Sequence, residues 1–298
     1  MRFFKCFFLS CLLILIGPGQ TIRAAGDIEI NLVRLQTDDG VKLTGILRQP
    51  RMSKTKACVI LIHGYSGNFY SGIMGFLPEA LADRGFATLA INMRDHDRGP
   101  KHNRFEDNRY DIMAAVDKMA QLGYHPIFLY GHSMGTNRVL YYIAATQDDR
   151  IKGIILTGPP GNLFEWNISV FGAEAAKSVL RQAQDLVAKG KGDKWMLINL
   201  GPLGKALYTA NHVVSLRGPK TLSDPYKNIA RISQPILVVH GLADHLANPD
   251  VADRLRNNAT LKTNVMVVKI PGADHRFSNH REKLVSVLAR WITEHLSH

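Results

Sequence analysis

A chain of 298 residues, 46% hydrophobic and 21% charged, is long enough for one sizeable α/β domain with an insertion and too evenly mixed to be disordered or fibrous. Its formal charge of +12 suits anionic substrates or weak association with an anionic or membrane surface, or simply a basic solvated surface. No nucleic-acid-binding motif, zinc-ligand spacing, internal repeat or low-complexity tract accompanies that charge.

The N-terminus departs from the globular average. Arg2 and Lys5 precede an apolar run from Phe7 to Ile16, followed by helix-breaking Gly17-Pro18-Gly19 and the small residues Ala24-Ala25-Gly26. This reads as a secretory signal over residues 1–25, which predicts an exported protein, periplasmic or secreted, with a mature domain over 26–298. An uncleaved N-terminal membrane anchor is the alternative, although the run is short for a span. Cys6 and Cys11 fall in this leader, which leaves Cys58 without an intrachain partner. Cys58 lies inside an apolar run and reads as a buried small hydrophobe, with neither the access nor the activation of a nucleophile.

After the leader, Ile28 to Gln36 and Val41 to Arg48 are strand-like, and Asp38-Asp39-Gly40 between them signals a hairpin. The continuous apolar run Ala57 to His63 predicts a strand buried on both faces. A glycine-bracketed loop (Gly64-Tyr65-Ser66-Gly67-Asn68) and a helix containing Leu77 to Asp83 follow. Phe86 to Met93 is the next strand, and the segment from Asn108 to Leu122 has helical spacing. Strands follow at Ile127 to Tyr130 and Lys152 to Thr157. The tail alternates again: strand Pro235 to His240, helix Val251 to Arg256, strand Val265 to Ile270, helix Leu284 to Leu296. An opening hairpin followed by strand–helix alternation predicts an α/β fold with a mostly parallel sheet covered by helices on both faces. Residues 161–232 break the rhythm with helix-like stretches, Ala173 to Val187 the clearest, and are too long for a plain connection. They read as an inserted helical cap over the carboxyl edge of the sheet.

The chemistry begins at Gly131-His132-Ser133-Met134-Gly135, which follows a strand and opens a helix. The spacing matches G-x-S-x-G, in which small residues let the chain turn sharply and hold the serine at the apex. The following helix aims its N-terminal dipole at the serine, where an oxyanion would form. A serine hydroxyl needs an imidazole to accept its proton and an acid to orient that imidazole. Asp244 follows the strand ending at His240, and His275 follows the strand ending at Ile270, so Ser133, Asp244 and His275 stand in the order Ser…Asp…His. Rivals for the acid are Asp274, next to His275, Asp250, which suits a helix N-cap, and Asp224 in the insertion. Rivals for the base are His245 and His280; His63 and His132 suit structural roles bonding loop backbone.

Four motifs together carry a resemblance. His63-Gly64-Tyr65-Ser66-Gly67-Asn68 is similar to an H-G-x-x-G-N loop, Gly131 to Gly135 is the elbow, His240-Gly241-Leu242-Ala243-Asp244 with Pro249 is similar to H-G-x-x-D-x-x-x-P, and Gly272-Ala273-Asp274-His275 to G-A-x-H. In this order, and over essentially the whole mature chain, the sequence resembles the α/β-hydrolase superfamily. Within it the resemblance is to the branch of monoacylglycerol-lipase-like, feruloyl-esterase-like and S33-peptidase-like serine hydrolases. The resemblance implies an eight-stranded sheet, an oxyanion hole from the backbone N–H groups of Tyr65 and Met134, a small-molecule ester substrate and no cofactor. The same machinery serves acyltransferases, thioesterases and peptidases; a non-catalytic binding protein on this fold is the rival from another class. No G-x-G-x-x-G follows the first parallel strand, which disfavours a dehydrogenase.

Two features stay open at this level. The basic loop from Arg94 to Arg104 either attracts a carboxylate or phosphate on the substrate or is a solvated loop whose arginines pair with Asp95, Asp97, Glu106 and Asp107. Leu163, Phe164, Trp166, Val170, Phe171 and Trp195 either line an acyl-chain site or form the small core of the insertion.

Overall fold

The structure, a computed structural model, describes residues 27–53, 55–199, 204–260 and 263–296. The expected signal segment, 1–25, lies outside the described residues. Ten strands and nine α-helices are formed among them. The strands are β1 (Ile28–Gln36), β2 (Lys42–Pro50), β3 (Cys58–Ile62), β4 (Ala87–Ile91), β5 (Ile127–His132), β6 (Ile151–Thr157), β7 (Trp195–Asn199), β8 (Lys205–Thr209), β9 (Ile236–Gly241) and β10 (Val265–Ile270). The helices are α1 (Leu77–Ala82), α2 (Asn108–Gln121), α3 (Met134–Thr146), α4 (Leu163–Phe171), α5 (Ala173–Ala188), α6 (Ala210–Arg217), α7 (Pro225–Ile229), α8 (Asp250–Asn258) and α9 (Arg281–Glu294).

Eight strands make one sheet in the order β1-β2-β4-β3-β5-β6-β9-β10. The pairs β1–β2 and β2–β4 are antiparallel and every other pair is parallel, so the sheet is mixed at one end and parallel through its centre. Alternation along β3 shows why its run is apolar throughout. Cys58, Ile60 and Ile62 face a core shared with α2, α3 and α8, while Val59 and Leu61 face the core shared with α1 and α9.

The strand order fixes the site. β3 lies between β4 and β5; the chain leaves β3 toward β4 on one side and leaves β5 toward β6 on the other. Connections that diverge from adjacent parallel strands open a crevice at their carboxyl ends. Here that crevice receives the loop after Ile62 and the turn after His132.

The insertion between β6 and β9 is not helical throughout. Besides α4 to α7 it contains an antiparallel pair, β7–β8, with Trp195 opposite Thr209 and Met196 opposite Tyr208. Each strand is five residues long with alternating burial, a pattern that a helix-oriented reading of this segment passes over. The insertion has its own small core, in which Ile198, Ala206, Tyr208 and Val213 pack with Ala183 of α5. Its two roots are tied to α3 by Asn137, whose Nδ2 donates to the carbonyls of Gly161 and Ser223, each at 2.9 Å.

Candidate active site

Register carries the elbow to its partner loop. Ile62 of β3 pairs with Gly131 of β5, and beyond that pair Gly64 lies against Ser133 while Tyr65 packs with Met134. The contact is close enough that a Cβ on Gly64 would sit 2.8 Å from that of Ser133. Ser133 itself has φ 53° and ψ −128°, a strained conformation for a residue with a side chain. The turn survives because its flanks carry no side chains. A Cβ on Gly135 would lie 2.4 Å from the Ile62 carbonyl oxygen, and one on Gly131 2.5 Å from that of Gly135. The Ser133 N–H donates to the Thr157 carbonyl at 2.9 Å, and its own carbonyl accepts from Thr136 Oγ1 at 2.7 Å. Met134 opens α3, where the first backbone N–H groups have no intrahelical acceptor.

The other two loops are held together by the β9–β10 register. Leu242 N–H donates to Ile270 O and Ala243 N–H to Ala273 O. Asp244 Oδ2 thereby accepts from His275 Nδ1 at 2.7 Å. Oδ1 of the same carboxylate accepts the N–H groups of Leu246 and Ala247 at 2.8 and 2.9 Å. His240 Nε2 lies 3.2 Å from Oδ2 and 3.1 Å from the Ala247 carbonyl. Both neighbours are acceptors, so Nε2 carries the proton and serves as a second donor to the carboxylate. Burial alone would raise the Asp244 carboxyl, but the hydrogen bonds from His240 and His275 outweigh it and hold the carboxyl well below the usual range.

Ser133, His275 and Tyr65 line one cleft of about 270 Å³, roofed from the insertion by Trp166 and Lys205. Its chemistry is legible in the tautomers around it. With Nδ1 donating to Asp244, His275 presents Nε2 to accept a proton. His132 is packed against that ring, centroid to centroid 4.9 Å, and contacts Thr157 Oγ1 through Nδ1. Burial, and then the neighbouring His275, push His132 well below the ordinary histidine range, so it stays neutral beside His275. His63 donates from Nδ1 to the Gly64 carbonyl and accepts the Met93 N–H at Nε2. Burial is the main reason its pKa is pushed down to about 3.

The rivals go elsewhere. Asp274 accepts the N–H groups of Arg276 and Ser278 and so braces the histidine loop from outside. Asp224 caps α7 through the Tyr226 N–H. Asp250 is not an N-cap: Pro249 occupies that position and Asp250 is the first residue of α8. His245 and His280 do not line the cleft. His132 has a structural role as expected, bonding Thr157 through both its backbone and its hydroxyl.

Two contributors escape motif reading. Arg138 of α3, fully buried, grips Asp95 with bonds of 2.6 and 2.7 Å and donates to the His63 carbonyl at 3.1 Å. Tyr208 of β8 donates to the Tyr65 hydroxyl. His240, the first residue of the H-G-x-x-D motif, steadies Asp244. The basic loop divides: Arg94 pairs with Asp39 and Asp111, Arg104 is 3.8 Å from Glu106, and Lys101 turns inward onto three carbonyls. Asp95 pairs with Arg138 and Asp97 with His96, so neither carboxylate pairs with an arginine of the loop. Of the six apolar residues proposed for the insertion, Trp166 lines the cleft, Phe171 joins the insertion core, and Leu163 packs with Met134 and Phe105. Trp195 is 44% exposed.

Comparison with known proteins agrees with this architecture. Residues 58–170 match the alpha/beta hydrolase fold family, and residues 204–293 match the dienelactone hydrolase family. The chain belongs to the α/β-hydrolase superfamily. It is 23% identical over 274 residues to a monoglyceride lipase of Saccharomyces cerevisiae, covering 82% of this chain and 86% of the relative. It is 27% identical over 276 residues to a putative monoglyceride lipase of Schizosaccharomyces pombe, covering 81% and 68%. Among solved structures, Est1E from Butyrivibrio proteoclasticus superposes with a TM-score of 0.65 at 20% identity, covering 90% of this chain and 99% of that one. This α/β hydrolase is of the esterase and lipase kind. Among its described residues no helix is long and apolar enough to cross a membrane, and no group of three or more His, Cys, Asp or Glu is placed to hold a metal ion.

Proposed function

We propose that the protein is an exported serine hydrolase that cleaves carboxylic esters of small molecules through an acyl-enzyme. The observation that carries the reading is the 2.7 Å bond from His275 Nδ1 to Asp244 Oδ2, behind the wall of a cleft that His275 lines together with Ser133 at a strained strand–helix turn. In the first step Ser133 Oγ attacks the ester carbonyl carbon and its proton passes to His275 Nε2. Asp244 stabilises the resulting imidazolium and fixes its tautomer. The carbonyl oxygen, now negative, accepts the N–H groups of Tyr65 and Met134, each worth about 3 kcal/mol in the transition state. Collapse breaks the ester C–O bond, and His275 gives its proton to the departing alcohol. Water, deprotonated by His275, then attacks the acyl carbon and releases the acid and Ser133.

The yeast relatives named as monoglyceride lipases support glycerol esters as one substrate group. Export rests on the leader composition alone, and N-terminal sequencing of the protein recovered from its producing cell tests it. Catalysis is tested with p-nitrophenyl esters from acetate to palmitate and a Ser133→Ala control. Turnover that disappears in the control, with stoichiometric fluorophosphonate labelling at Ser133, is expected. Folded protein that shows neither turnover nor labelling would leave a binding protein in its place.

A further inference from the structure

The cations of this protein are distributed in a way that its catalytic chemistry does not require. Three of them, Arg98, Lys205 and Arg276, line the cleft that holds Ser133 and His275, and each comes from a different segment. Arg98 lies in the loop between β4 and α2, Lys205 opens β8 in the insertion, and Arg276 directly follows His275. All three are exposed and none is in an ion pair among the described residues. Their basic neighbours in the Arg94 to Arg104 loop are engaged elsewhere, by Asp39, Asp111, Glu106 and loop carbonyls.

The acids are distributed in the opposite sense. Every Asp and Glu of the chain falls within the described residues, and no carboxylate lines the cleft. The carboxylates behind its wall are already occupied: Asp244 by His275 and His240, Asp274 by two backbone N–H groups, and Asp97 by Asn68 and His96. A concave site walled by one sign of charge concentrates ligands of the other.

We propose that the ester processed here carries an anionic group, a carboxylate or a phosphate, which Arg98, Lys205 and Arg276 receive while the ester carbonyl sits at Ser133. This rests on the serine-hydrolase reading of the same cleft. The anion is held from three sides by cations, two of them guanidinium forks suited to paired oxygens. The group belongs either to the acyl part, as in the half-ester of a dicarboxylic acid, or to the alcohol part, as in an acylated phosphomonoester.

The test uses matched pairs. For the acyl arm, mono(4-nitrophenyl) adipate is compared with 4-nitrophenyl hexanoate. For the alcohol arm, 4-(butanoyloxy)phenyl phosphate is compared with 4-methylphenyl butanoate. Spontaneous hydrolysis is subtracted with Ser133→Ala. In at least one arm kcat/KM for the anion is expected to exceed that of its neutral partner by about tenfold, and the ratio to shrink as salt rises. In Arg98→Gln/Lys205→Gln, folded as judged by its thermal transition, the ratio falls toward one; Arg276→Gln lowers it further. Ratios near one in both arms, or a ratio unmoved by the substitutions, overturn the inference while leaving the hydrolase reading intact. A readout independent of turnover is titration calorimetry of Ser133→Ala with monomethyl adipate and with phenyl phosphate. Binding of neither overturns the anion site even if no ester is turned over.

Discussion

The phenol of Tyr208 donates to the phenol of Tyr65 across 2.6 Å, joining a strand of the insertion to the loop that follows β3. Tyr65 contributes its backbone N–H to the proposed oxyanion hole and its ring to the cleft wall. Tyr208 is buried and anchored in the insertion core, so the bond ties the loop after β3 to a packed anchor. Tyr208→Phe removes one hydrogen bond worth about 1 kcal/mol and leaves the packing. A drop of about three- to tenfold in kcat, with KM and the unfolding midpoint nearly unchanged, is expected from ester kinetics and a urea titration.

Arg138 and Asp95 form an ion pair with both side chains withdrawn from water. Removing one partner from such a pair leaves a buried charge without compensation. Arg138→Met is therefore expected to lose about 3–5 kcal/mol of stability in urea unfolding, and to loosen the elbow through the lost contact with the His63 carbonyl. Adding Asp95→Asn to it restores part of that loss, because the orphaned charge is gone. A double variant no more stable than the single one would assign the cost to packing alone.

His240 donates to the same Asp244 oxygen that His275 uses. His240→Leu deprives the carboxylate of one donor; His240→Gln places an amide N–H near the position of Nε2. The expected result is a kcat about tenfold lower for leucine, with the acid limb of the pH–rate profile displaced, and substantial recovery for glutamine. Equal damage from both would mean that the ring's bulk matters and its proton does not.

Acid should unfold this protein through its histidines. Burial is the leading cause that pushes His63 down to about 3 and His212 to about 4. Both values lie below the ordinary histidine pKa of about 6.5. Between these limits the unfolded chain binds protons that the folded chain does not, so stability is complete above about pH 6.5 and falls as the pH drops toward 4. Asp244, held low by its donors, adds a loss that begins as the pH enters the ordinary carboxylate range and deepens below it. Tm measured at low salt is expected to be level from pH 7 to 8 and to decline steadily below 6. His212→Asn, which keeps a donor for the Asn103 carbonyl that Nδ1 now contacts, should flatten that decline.

The sequence made the elbow and the two loops bearing Asp244 and His275 legible because each is a short motif at the end of a strand whose apolar run is itself visible. Their spatial meeting follows from strand order, which the order of elements anticipates. The supporting contacts were not legible, since their partners lie far apart: 43 residues separate Asp95 from Arg138, and 143 separate Tyr65 from Tyr208. The β7–β8 pair was hidden for another reason. Its strands sit among helices in an insertion whose few buried side chains leave only a faint alternation.

Lys101 has a consequence for how such enzymes diversify. Its backbone pairs with β8, donating to Leu207 O and accepting from Thr209 N–H, while its ammonium closes the Asp95 to Asp97 turn through three carbonyls. The core thus lends one residue to a sheet that belongs to the insertion. Transplanting the insertion into a relative without the 94–104 loop would leave the edge of β8 open where Lys101 now pairs. Recombination that keeps both pieces together would carry a working roof, and with it a substrate preference, from one catalytic base to another in a single exchange.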